Sequence, residues 1–133
     1  MTRKSCIALG VLALLGACAS TPPGERHARR LAMYTQHAGA PVGEIRGFTL
    51  SRFEIVGPES VVIWVRVSEP YLVTVQSPCP GLEWARRVGF EQDLNVLRAR
   101  FDGILVEGID CRIREIRPVD GAAFRAAERA AGD

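Results

Sequence analysis

The sequence lacks the residue patterns that mark common enzymes and cofactor-binding proteins. It contains no phosphate-binding loop, no nucleophile elbow and no dinucleotide-binding fingerprint. It has only two histidines and no Cys-x-x-Cys pair, which falls short of the ligand spacing of a zinc site. We therefore expect a protein that is not an enzyme and that holds no metal or other cofactor.

Long hydrophobic runs are also lacking. The longest apolar stretch near the start, residues 7–15, is interrupted only by Gly10. A helix that spans a bilayer needs about 20 apolar residues, roughly twice this length. The sequence therefore argues against a permanent transmembrane anchor.

This short run instead has the features of a secretory signal. Arg3 and Lys4 precede it as a positive region, and the small residues Gly16 and Ala17 follow it. We predict a signal peptide over residues 1–17, with cleavage between Ala17 and Cys18. Ordinary cleavage after the small residue at 19 remains an alternative, and it would release a soluble periplasmic protein.

The four residues Leu15-Gly16-Ala17-Cys18 resemble the lipobox of bacterial lipoproteins. This resemblance implies a lipid on Cys18, which would attach the mature protein to a membrane. Residues 18–25 are polar and contain prolines, which suits a lipidated tether. Ala19, which is not acidic, favours the outer membrane, so we expect a lipid-anchored envelope protein that faces the periplasm.

Charge argues against nucleic acid as a partner. The precursor has 17 basic residues, and removal of Arg3 and Lys4 with the signal leaves 15, which equals the 15 acidic residues. The net charge of +2 therefore belongs to the precursor, and the mature chain is formally neutral. A neutral chain lacks the basic excess that phosphate backbones attract.

The remaining chain suits one small domain, residues 26–133, with a modest core. Cys6 leaves with the signal and Cys18 is lipidated, so Cys79 and Cys111 remain as an even pair in an oxidising compartment. We predict a disulfide between them. A redox thiol and a metal site are the alternatives.

The pattern of apolar residues predicts an α+β fold. We expect a small, strongly bent antiparallel sheet or partial barrel of 5–6 strands, with an N-terminal helix, a short middle helix and a C-terminal helix. The predicted helices cover residues 24–38, 78–90 and the segment after the capping residue Asp120. The predicted strands cover residues 48–56, 61–67, 71–76, 95–101, 104–108 and 110–116.

Three details of this pattern are specific. Apolar alternation changes phase near Ser51–Arg52, which predicts a β-bulge. The strands at 61–67 and 71–76 are expected to form an antiparallel hairpin. Asp102-Gly103 indicates either a two-residue hairpin or a bend in one longer strand.

Residues 71–120 resemble a family of small Gram-negative envelope lipoproteins that is classed as a domain of unknown function. The resemblance rests on the segments "SPCPGLEWARRVGF", "RFDGILVEG" and "CRIREIRPVD". In that pattern a Pro-Cys-Pro segment precedes a short helix, and a second cysteine lies on a late strand. It implies the same lipid on Cys18 and the same Cys79–Cys111 disulfide, and it implies no activity.

Several residues are candidates for a binding site. A concave pocket that involves Trp64, Tyr71 or Trp84 would indicate a binding module, although we expect Trp84 to pack in the core. Ten residues separate His27 from His37, a net rotation of about 280° around a helix, so we do not expect them to share a face. The remaining candidates are arginines, for which a solvated face competes with binding to anionic lipid or glycan groups: Arg26, Arg29, Arg30, Arg112 and Arg114.

The function that these observations favour is that of an uncharacterised, non-enzymatic envelope lipoprotein with an accessory or protein-interaction role. Its expected partners are the membrane, through Cys18, and an envelope protein. The alternative is a periplasm-facing module that binds a small ligand, a lipid or an envelope glycan.

Overall fold

A computed structural model of the chain describes residues 20–132. The predicted signal peptide, its cleavage point and Cys18 lie outside these residues. The described part has two α-helices, α1 (Pro23–Gln36) and α2 (Gly121–Ala131), and neither is long and apolar enough to cross a membrane. Its strands are β1 (Glu44–Arg46), β2 (Leu50–Ile55), β3 (Ser60–Val65), β4 (Glu69–Val75), β5 (Gly89–Phe90), β6 (Val96–Arg98), β7 (Gly103–Val106) and β8 (Ile109–Pro118).

Six of these strands form one antiparallel sheet in the order β2-β3-β4-β8-β7-β5. The sheet is strongly curled into a half-barrel, which confirms the predicted α+β class and the bent antiparallel sheet. The other two strands, β1 and β6, pair with each other in a separate ribbon. Ile45 and Leu97 of this ribbon pack inside the curl, so we call that side of the sheet the inner face.

The hairpin of β3 and β4 forms the centre of the sheet, as predicted. Every residue of β3 is buried, because the strand is covered on both faces. Ile63 belongs to the inner core, whereas Val62 and Trp64 belong to a second core beneath the two helices, on the outer face. Burial on both faces explains why this segment is a continuous apolar run instead of an alternating one.

The predicted β-bulge is also confirmed. The pairing of β2 with β3 shifts register between Leu50 and Arg52, where the apolar alternation changes phase. After this shift Phe53 and Ile55 pack against the inner core. Arg52 and Glu54 therefore lie on the outer face, beside the helices.

The expected short middle helix is absent, so the described chain has two helices and not three. Between residues 78 and 90 there is only a 3₁₀ turn, Leu82–Trp84, followed by the two-residue strand β5. Pro78 and Pro80 remove backbone donors, and Ala85 is already extended with ψ 130°. A helix over residues 78–90 would gain little stability from its own hydrogen bonds. The burial of Leu82 therefore decides the conformation of this segment.

Asp102-Gly103 forms neither the hairpin nor the bend that the sequence allowed. The Asp102 carboxylate accepts a hydrogen bond of 2.6 Å from the backbone of Arg98, in the turn after β6. β6 then pairs with β1, and β7 pairs with β8. The hairpin lies one strand later, at Glu107-Gly108, where φ angles of 49° and 84° give the left-handed backbone that such a turn needs.

Cys79 and Cys111 are joined by a disulfide whose Cα atoms lie 5.6 Å apart. Cys111 is on β8, and Cys79 lies three residues before the 3₁₀ turn begins at Leu82, so the bond attaches the start of this loop to the sheet. Both sulfur-bearing residues are buried in the inner core. The disulfide thus holds in place a loop that has little regular secondary structure of its own.

Candidate functional site

A cleft of about 390 Å³ lies on the outer face, between the two helices and the edge of the sheet. We call it the Arg52 cleft. It includes three arginines and two glutamates, which gives it a formal charge of +1. Its charged and aromatic lining residues are Arg30, Arg52, Arg125, Glu54, Glu128, Tyr34, Trp64 and Phe124.

One wall of this cleft is a network centred on Arg30. The Arg30 guanidinium donates hydrogen bonds of 2.7 and 2.9 Å to the two oxygens of Glu54 and one of 2.7 Å to Glu128. Tyr34, one helical turn later, donates a hydrogen bond of 2.5 Å to Glu54. The network therefore connects α1, β2 and α2, and it fixes the position of every charged group in it.

Electrostatics hold these groups in fixed protonation states. Burial alone would raise the pKa of Glu54, but hydrogen bonds from Arg30 and Tyr34 outweigh it and hold this pKa below its ordinary value. Burial and the bond to Glu54 raise the pKa of Tyr34. At neutral pH, Glu54 is therefore an anion that accepts hydrogen bonds, and Tyr34 is a neutral donor.

The cleft also contains two arginines outside this network, Arg52 on β2 and Arg125 on α2. Arg52 is the cross-strand partner of Trp64, and its guanidinium lies 3.8 Å from the centroid of that ring. This distance is well within the range of a cation–π interaction. Neither Arg52 nor Arg125 forms an ion pair with a carboxylate among residues 20–132. Both are thus available to an anion that enters the cleft.

The floor of the cleft is tightly packed. Phe124 of α2 stacks on Tyr34 with a centroid distance of 4.0 Å and an angle of 6° between the rings. Gly121, at the start of α2, lies so close to Pro70 that an added Cβ would be 3.2 Å from the proline ring. Asp120 caps this helix by accepting a hydrogen bond from the backbone of Ala123, as the sequence predicted. These contacts make the shape of the cleft a fixed feature of the fold.

The structure does not bring the three aromatic candidates together. Trp64 lines the cleft but is itself only 4% exposed. Tyr71 pairs with Ile63 across the hairpin and packs on the inner face, so it points away from Trp64. Trp84 lies in the 3₁₀ turn with 69% of its surface exposed, and the expectation that it packs in the core is wrong.

The histidines and the basic row of β8 lie elsewhere. His27 has Nδ1 3.7 Å from a Glu83 oxygen, whereas the His37 ring lies edge-on to Phe124. Within residues 20–132, no three His, Cys, Asp or Glu side chains form a group that could hold a metal ion. Arg112 and Arg114 are exposed on β8, alternating with buried Cys111 and Ile113 as the sequence predicted.

Comparison with known proteins identifies the family of the chain. The family model described as a family of unknown function, DUF6491, matches residues 1–133. The chain belongs to this family. No curated protein and no solved structure matches the chain.

Membership therefore confirms the expected domain of unknown function, and the description of the family names no activity. The sequence did not single out Glu54 or Arg125 as site residues. Arg52 and Glu54 alternate with Phe53 and Ile55, which placed them on the polar face of β2. The partners of Glu54 are 24 and 20 residues away along the chain, so no local pattern could identify them.

Proposed function

We propose that this protein is a non-enzymatic accessory lipoprotein of the cell envelope whose folded domain binds a small anionic ligand. A lipid on Cys18 anchors the mature chain, the non-acidic Ala19 directs it to the outer membrane, and the domain faces the periplasm. The lipobox-like residues 15–18 and the polar tether support this part of the proposal. The ligand site is the Arg52 cleft.

The observation that carries the binding proposal is the unequal pairing of the charges in the cleft. Glu54 and Glu128 are both engaged by Arg30, at 2.7 Å. Arg52 and Arg125 have no carboxylate partner in the described part of the chain, so the cleft presents a net positive surface beside Trp64. A carboxylate or phosphate group of a small ligand, such as a lipid headgroup or a glycan acid, has the charge and size to fill it.

The same network supports a binding role instead of catalysis. A general acid or base must exchange its proton near the working pH. The pKa of Glu54 is lowered and that of Tyr34 is raised, so both move away from neutrality. Groups held in this way fix the shape of the cleft, and they do not exchange protons with a ligand.

Titration of the purified mature protein with small anions tests the binding site. We expect inorganic phosphate or glycerol phosphate to change the backbone amide signals of α2 and β2 and, in a Trp84→Phe background, the emission of Trp64. Arg52→Gln and Arg125→Gln should each weaken this response, whereas Arg29→Gln on the exposed face of α1 should not. Identical titrations of all variants would refute the proposal.

Labelling with a fatty-acid probe in cells tests the anchor separately. Wild-type protein should incorporate the label, and Cys18→Ser should not. Equal labelling of the two proteins would refute lipidation at Cys18 and leave the ligand site untouched. Fractionation of the outer and inner membranes tests the proposed location in the outer membrane.

A second groove favours the interaction with an envelope protein as another candidate function. Its lining combines an exposed aromatic ring, Phe101, with Arg100, Arg114 and Glu115, next to the segment 41–43. Phe101 is 75% exposed, and neither arginine has a carboxylate partner among residues 20–132. Crosslinking in intact cells should capture a partner with wild-type protein and lose it with Phe101→Ser, while Leu94→Ser serves as the matched exposed control.

A further inference from the structure

We infer that Trp84 and the arginines that follow it form a membrane-contact surface, which rests on the bilayer that holds the lipid of Cys18. This inference rests on the proposed lipid anchor and names the surface of the domain that faces the anchored membrane. Its occupant is the interfacial layer of the bilayer, with a preference for anionic headgroups.

The exposure of Trp84 is held in place by the fold. Leu82, two residues earlier, is completely buried, and Cys79 is bonded to β8. The segment is therefore held at Cys79 by the disulfide and at Leu82 by burial, while 69% of the surface of Trp84 remains in contact with solvent. Tryptophan combines a large apolar ring with one N–H donor, which suits the boundary between water and lipid.

The turn lies near the end of the domain from which the anchor leaves. Glu83, adjacent to Trp84, has a carboxylate oxygen 3.7 Å from Nδ1 of His27. His27 lies four residues after the start of α1 at Pro23, which is about 6 Å along the helix axis. The described chain begins at Ser20, two residues after Cys18, so an extended link between them is only about 7 Å long. A lipid on Cys18 thus brings the bilayer close to this turn.

The charges around the turn favour an anionic lipid surface. Arg86 and Arg87 lie two and three residues after Trp84, and Arg26 lies beside His27 on the first turn of α1. All three are exposed and none has a carboxylate partner within residues 20–132. The neighbouring acids are Glu83, which faces His27, and Glu25. Anionic headgroups attract basic residues that lie near the surface, and the attraction adds to the pull of the acyl chains.

Quenching of tryptophan emission by brominated phospholipids tests this arrangement. The mature lipidated protein is reconstituted into vesicles that contain phosphatidylglycerol and phosphatidylethanolamine brominated near the headgroup. Trp64 is buried and serves as an internal reference. We expect wild type to be quenched roughly twofold or more relative to Trp84→Phe, since only Trp84 reaches the lipid interface. Equal quenching of the two proteins would overturn the inference.

Matched arginine variants test the charge. Arg86→Gln with Arg87→Gln should reduce the quenching in vesicles that contain phosphatidylglycerol, whereas Arg112→Gln with Arg114→Gln removes the same charge from β8 and should not. If the two double variants behave alike, the arginines do not orient the domain and the inference fails. If Trp84 is instead shielded without vesicles, in a manner that depends on protein concentration, a second copy covers it and the inference also fails.

Flotation of the same vesicles separates the two proposals. Wild type and Trp84→Phe should both float, because the acyl chains hold them. Protein that floats without selective quenching retains the anchor and contradicts the contact surface. Protein that does not float contradicts the anchor itself, and with it the proposed lipoprotein function.

Discussion

Arg30 on α1 and Glu54 on β2 are joined by two parallel hydrogen bonds of 2.7 and 2.9 Å, which attach the first helix to the edge of the sheet. The same guanidinium reaches Glu128 on α2. A single arginine therefore fixes both helices against the outer face. Because Tyr34 also donates to Glu54, loss of this carboxylate removes the acceptor of three hydrogen bonds at once.

We predict that Glu54→Gln destabilises the fold by about 1–2 kcal/mol at neutral pH, because hydrogen bonds to charged groups are lost at a partly exposed site. The change should also flatten the acid limb of the stability curve, which is the fall in the free energy of unfolding as the pH decreases. The folded pKa of Glu54 is below its unfolded value, so its contribution is complete above the ordinary glutamate pKa and disappears as the pH falls through the folded one. Urea denaturation at several pH values measures both effects.

Glu91→Gln is the matched control for this experiment, because Glu91 is exposed and has no ion pair within the described residues. It should leave the acid limb unchanged. A Glu54→Gln protein whose acid limb still parallels that of wild type would contradict the role assigned to the network.

Loss of the Cys79–Cys111 bond should destabilise the protein by about 3–4 kcal/mol, as expected for a loop of this length. The two cysteines are 32 residues apart, so the bond restricts a long segment of the unfolded chain. Cys79→Ala with Cys111→Ala should lower the unfolding midpoint in urea, and wild type with reductant should shift by a similar amount. A wild-type unfolding midpoint that does not change when reductant is added would show that the thiols are not paired.

Gly108→Ala should lower the free energy of unfolding by about 1–2 kcal/mol. Gly108 has a φ of 84°, and an L-residue with a Cβ is strained there. No atom lies within 4 Å of the added Cβ, so the cost is one of backbone conformation and not of space. Gly57→Ala is the matched control, since Gly57 also has open space but no positive φ. Equal stability of the two variants by thermal denaturation would place the hairpin elsewhere than Glu107-Gly108.

Arg52→Ala should uncover one face of Trp64 and destabilise the protein by about 0.5–1 kcal/mol, the usual size of an exposed cation–π contact. The readout is acrylamide quenching in a Trp84→Phe background, in which Trp64 is the only tryptophan. We expect faster quenching in the Arg52→Ala variant than in Arg66→Ala, whose guanidinium pairs with Glu69 instead. Unchanged quenching would show that Arg52 does not cover the ring.

Local patterns determined much of this protein. The apolar run of β3, the phase change before Phe53 and the alternation on β8 led directly to strands, a bulge and faces that the structure confirms. The capping residue Asp120 marked the start of α2. Each of these features depends on residues that are neighbours in the chain, so the sequence contains the whole signal.

Other features were decided by the tertiary structure alone. Residues 78–90 have a helical spacing of apolar residues, yet the burial of Leu82 and the bond at Cys79 leave only a 3₁₀ turn and expose Trp84. Asp102-Gly103 has the composition of a hairpin, yet β6 pairs with β1 because the ribbon closes the inner core. In both cases long-range packing outweighs a weak local preference.

The candidate site follows the same rule. The sequence by itself determined which residues of β2 face outward, and it predicted that Cys79 pairs with Cys111 and that Cys18 belongs to a lipobox-like segment. Only the tertiary structure decided that Arg30 meets Glu54 and Glu128, 24 and 98 residues away, and that Arg52 covers Trp64 across the strand pair. Charges attract any opposite charge, so the fold, and not the local sequence, selects which partners meet.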